Sequence, residues 1–141
     1  MKNRVMTILV VILSLTTILF AVLWQVAAHD RSDIKLIAET GAGEAAEYFA
    51  EFQKSGDEVD FVCGVSALRT FSTAYTLMTE GTVRYPDHMV IEWLIGALLS
   101  SPAAAKEHIR DLTEIMELLS KNAEDITALA RLSELHTTLT H

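Results

Sequence analysis

The sequence predicts an all-α protein, with an N-terminal transmembrane helix followed by a compact four- to five-helix bundle. Three observations carry that expectation. Residues 5–28 run 24 positions without a charge. Beyond them, apolar residues recur at steps of three and four, and no stretch sustains the two-residue alternation of a strand. Glycine and proline are scarce, six and two in 141 residues, and mostly fall where helices should begin or end.

Met1-Lys2-Asn3-Arg4 is a short basic tail, residues 1–4, ahead of the apolar run. A hydrocarbon core of ~30 Å needs ~20 helical residues at ~1.5 Å each, so 5–28 is long enough to span. Trp24 sits near its far end, where an amphipathic ring suits the headgroup layer. Val26-Ala27-Ala28 would also serve as a signal-peptide cut, making the remainder a secreted helical protein. The apolar run before it exceeds the ~7–15 residues of a typical signal peptide, which favours an uncleaved signal anchor. Lys2 and Arg4 place the amino terminus on the cytoplasmic side of a plasma (inner) membrane, with the bundle extracytoplasmic and the chain single-pass. The bilayer is thus the first expected partner.

Residues 29–43 read as a juxtamembrane helix or stalk, hinged at Gly41-Ala42-Gly43, because each glycine weakens a helix by ~1 kcal/mol. Residues 44–141 then form the bundle. Its first helix has an apolar face of Ala45, Tyr48, Phe49 and Phe52, and a solvated face of Glu44, Glu47 and Glu51. Ser55-Gly56-Asp57 is a turn, with Asp57 the cap of a second helix that runs to about Thr79 and stops at Gly81. Phe61, Val65, Leu68, Phe71, Tyr75 and Met78 form its core stripe. Cys63, the single cysteine, reads as a buried small hydrophobe and can form no internal disulfide.

Tyr85-Pro86-Asp87 opens a third helix, 88–100, which is apolar on nearly every side. Such a helix is buried nearly all round or meets a partner. Trp93, Met89, Ile91, Leu94 and Leu98 are therefore the candidate interaction surface, for a protein partner or a second copy of the chain. His88 and Glu92 begin a polar strip continued by Gly96 and Ser100, and stand one turn apart, as a pair would. Ser101-Pro102 caps and starts a fourth helix, with Ile109, Leu112, Ile115, Met116 and Leu119 inward and Arg110 partly pairing Glu107, Asp111 and Glu114. Asn122 caps a fifth, with Ile126, Leu129, Leu132, Leu135 and Leu139 inward.

Charge and motifs narrow the function. Residues 29–141 carry nine basic and nineteen acidic side chains, net −10, which repels phosphate backbones and argues against nucleic-acid binding. Glu-x-x-His and His-Glu-x-x-His metal spacings are absent. So are a nucleophile elbow and a complete phosphate loop. The expectation is a non-enzymatic protein without a cofactor, serving as an interaction or adaptor module at a membrane surface. A small-ligand sensor domain is the alternative, and it would need a sizeable apolar pocket between helices.

Overall fold

The computed structural model describes residues 30–82 and 87–140. The span expected over 5–28 and the Tyr85-Pro86 turn lie outside the described residues. The chain divides into two units, Met1–Asp33 and Ile34–His141. Of the first, residues 30–33 are described, and they are helical. The second is a helical bundle. Six helices and no strand occur among the described residues. None of these helices is long and apolar enough to cross a membrane.

The first helix, α1, covers residues 30–55 without a break, so the glycine pair is not a hinge. Ala38 and Ala42 are fully buried, so the bundle begins well before residue 44 and the expected stalk is part of the core. The physical reason lies across the interface. A Cβ on Gly41 would stand 2.9 Å from the backbone nitrogen of Phe71. Glycine is there to admit a neighbouring helix, not to end its own.

That neighbour is α2, Glu58–Thr79. The Asp57 carboxylate accepts from the Val59 amide at 2.9 Å and caps it. Gly81, at φ +73°, takes the left-handed stop that the sequence predicted. Its expected core stripe is buried in full, while Cys63 is half-buried rather than enclosed. After α3, Asp87–Ser100, the chain turns at Ser101 into α4, Pro102–Glu107. The Ser101 hydroxyl makes no cap hydrogen bond; Pro102 at the first position supplies the start. The predicted fourth helix is two. At His108 (φ −104°, ψ 10°) the amide donates to Ala105 and Lys106 carbonyls, and α5, Ile109–Lys121, begins after it. The last helix, α6, is Ile126–Thr140. Its cap is Asp125, which accepts from the Ala128 amide at 2.9 Å. Asn122 instead closes α5, and its side chain accepts from Glu124.

Cross-helix contacts fix the directions. Glu39 accepts from the Ala123 amide, Gly43 faces Ser120 and Gln53 reaches Thr113, so α1 and α5 are antiparallel. Gly41 against Phe71 and Phe52 against Phe61 make α1 and α2 antiparallel. Ser72 donates to Glu92, which joins α2 to α3. Arg131 pairs with Glu114 at 3.1 Å, which joins α6 to α5 and replaces the expected Arg110 pairing. The short 122–125 connection makes α6 antiparallel to α5. Val90 and Ile91 beside residues 126–133, with Trp93 on His136, make α3 parallel to α6. Helices α1, α3 and α6 therefore run one way, and α2 and α5 the other. One end of the bundle gathers the start of α1, the end of α2, the starts of α3 and α6 and the end of α5; it is called the Ile34 end below. Lys106, at the opposite Ser55 end, lies over the rings of Phe52 and Phe61 at 5.5 and 5.7 Å and pairs with Glu58.

The core centres on Phe49, Phe71, Tyr75, Leu68, Ile91, Leu94, Leu98, Ile115, Met116 and Leu119, all fully enclosed. Each such side chain contributes about 1.5–3 kcal/mol by leaving water. The α5 stripe is buried as its spacing predicts. On α6, Leu132 and Leu135 are buried and Leu129 is half-buried, but Ile126 is exposed, because it is the first residue of its helix and projects past the packed layer.

Candidate interaction surface

Helix α3 decides which of the predicted surface residues are free to meet a partner. Ile91, Leu94 and Leu98 are not: they expose 1 % or less and pack against α2 and α6 within the chain. Three of the five expected contacts are thus core. Met89 and Trp93 remain, one turn apart and exposed; Leu99 is exposed as well, but on the flank of α3 that faces α2. An all-apolar pattern holds no contrast by which these two sets could be told apart.

Trp93 exposes 54 % of its surface. Its ring sits 5.9 Å from that of His136 on α6, tilted by 33° between planes. Beside the two rings runs a groove of about 310 Å³, lined by Val90 and Ile91 of α3 and by Ile126, Leu129, Ala130, Leu132 and Ser133 of α6. Small side chains at 130 and 133 open it. The sequence pattern places the surface on the third helix alone and misses α6; the signal that could have found it is an apolar stripe that gives way to alanine and serine and so leaves a trough on that side.

Of the polar strip, Glu92 is held by a neighbouring helix. His88 is half-buried at the start of α3. The Glu92 carboxylate reaches α2 and accepts the hydroxyl proton of Ser72, a fully buried residue. Glu92 therefore serves to join two helices. No family model, no curated protein and no solved structure matches this chain.

Other candidates for chemistry are sparse. Among the described residues, no group of three His, Cys, Asp or Glu side chains is placed to hold a metal ion. A second groove, of about 360 Å³, lies between α1 and α2, with Ile34, Ile37, Ala74 and Leu77 in one part and Ser66, Arg69, Thr70 and Thr73 in the other. A third, of about 310 Å³, is polar and lies between α5 and α6, where His108 stands 3.8 Å from Asp111. The Lys54 ammonium is held above its ordinary range by the hydrogen bond it donates to the Glu51 carboxylate and by that residue's charge. It stands at the Ser55 end, outside the Trp93 surface.

Proposed function

We propose that the chain is a membrane-tethered docking module. Residues 5–28 hold it in the bilayer, the amino terminus is cytoplasmic, and the extracytoplasmic bundle offers its α3–α6 face to a protein partner. The support for the anchor is the uncharged 24-residue run.

The observation that carries the docking reading is Trp93. Covering a tryptophan removes 150–250 Å² from water, so its uncovered half corresponds to about 100 Å², or about 2–3 kcal/mol left unrealised in the isolated chain. Tryptophan is also the residue type that dominates binding hot spots. With a groove of small floor residues beside it, the surface suits an amphipathic helix that lays apolar anchors between α3 and α6.

The test uses a photoreactive side chain at position 93 in native membranes, with position 107 as the exposed reference. One recurrent adduct at 93 is expected, and it should disappear when Ala130→Trp fills the groove. An adduct of twice 15.6 kDa identifies a second copy of the chain. Equal labelling at 93 and 107, or an adduct indifferent to the filled groove, refutes the reading.

A further inference from the structure

We infer that the Ile34 end of the bundle rests in the headgroup layer of a zwitterionic phospholipid bilayer. This rests on the anchor reading above and adds a second, non-spanning contact. Leu36, Ile37, Leu77, Met89 and Ile126 come from four different helices, and all fall at this end. Each exposes between 44 and 68 % of its surface. Single exposed apolar residues are ordinary; five at one end are a patch with an orientation. Tyr48, Val59, Val62 and Leu99 are exposed too, but toward the Ser55 end, and Trp93 lies midway along α3.

Chain length decides what lies next to the patch. Ile34 is six residues beyond Ala28, the end of the apolar run. Even fully extended, six residues reach about 20 Å. The Ile34 end therefore cannot leave the vicinity of the bilayer, whereas the Ser55 end can. Tethering of this kind raises the local concentration of the lipid surface without any further contact.

The chemistry of the α1–α2 groove follows the same axis. Ile34, Ile37, Ala74 and Leu77 lie nearest the end, and Thr73, Thr70, Arg69 and Ser66 follow up α2. Apolar first and cationic second is the order met on passing from acyl chains to phosphates. Arg69 is two turns from Leu77, and an arginine stem can lower its charge toward the headgroups. Glu39, Glu80, Glu124 and Asp125 stand at the same end against Lys35 and Lys121. That balance is acidic, so anionic lipid is disfavoured and a zwitterionic surface fits.

The experiment places single cysteines in the full chain, on a Cys63→Ser background, and reconstitutes it in phosphatidylcholine vesicles. A fluorophore at 37, 77 or 126 should be quenched by headgroup-level nitroxide lipid at least about twofold more than one at 59 or 99. Adding phosphatidylserine should reduce that difference. A fluorophore at Leu15, read against deep acyl-chain nitroxide, reports the anchor separately. Quenching at 15 with none at 37, 77 and 126 overturns this inference and leaves the anchor standing. No quenching at 15 removes both. Equal quenching at both ends, or shielding from aqueous iodide without lipid quenching, also overturns it, the latter assigning the end to a protein partner.

Discussion

Gly41 and Gly43 are two residues apart on one helix and do opposite things. Inside a helix, glycine to alanine normally stabilises by about 1 kcal/mol. At Gly43 the added Cβ would meet Ser120 Cβ at 3.6 Å, an ordinary contact, so Gly43→Ala should be neutral or stabilising by up to about 1 kcal/mol. At Gly41 it would meet backbone at 2.9 Å, and backbone cannot swing aside. Gly41→Ala should cost about 1–3 kcal/mol despite its better propensity. Chemical unfolding of the full chain in mild detergent, followed by helical dichroism, checks both; equal effects would contradict the close α1–α2 approach. The pair also shows what one residue type conceals. Sequence alone registers two helix weakeners, because the backbone that Gly41 accommodates lies some thirty residues away along the chain.

Among whole elements, the legible boundaries are those written in local chemistry. Asp57, Gly81 and Pro102 each fix a helix end through groups within a few residues, and each was readable. The break at His108 carries neither glycine nor proline, and its cause lies in how α4 and α5 pack separately on their neighbours. The Trp93 surface was half legible for a related reason: α3 is apolar all round, so only the positions of α2 and α6 separate Trp93 from Leu94. The start of α6 offers a test at this scale. Asp125→Ala removes the carboxylate that accepts from Ala128 and should cost about 1 kcal/mol. Asn122→Ala, which loses a 3.3 Å contact beyond the end of α5, should cost less. The reverse order, measured by the same unfolding curves, would return the cap to Asn122.

For the whole molecule, the proposed tether would have to hold a bundle of net charge −10 at a lipid surface. Coulombic attraction to anionic headgroups is of the wrong sign, so attachment must be hydrophobic. The expected result is that the chain stays in the membrane pellet through alkaline carbonate and is extracted by detergent alone. Mass spectrometry of the purified protein should find residues 1–28 still attached. Release by carbonate, or a mature chain that begins at His29, would make the bundle a secreted protein and remove the tether from both proposals.

The pairing of α1 with α5 sets the order in which this protein can be made. Glu39 and Ala123 are 84 positions apart. A ribosome adding about 5–20 residues per second needs about 4–17 s to cover that distance. Throughout that interval the newly emerged first helix has no fifth helix to pack against Glu39, Gly43 and Gln53. The earliest segment therefore waits seconds for its permanent neighbour, and a transcript truncated ahead of codon 123 yields a product that lacks the Glu39–Ala123 contact however long it waits.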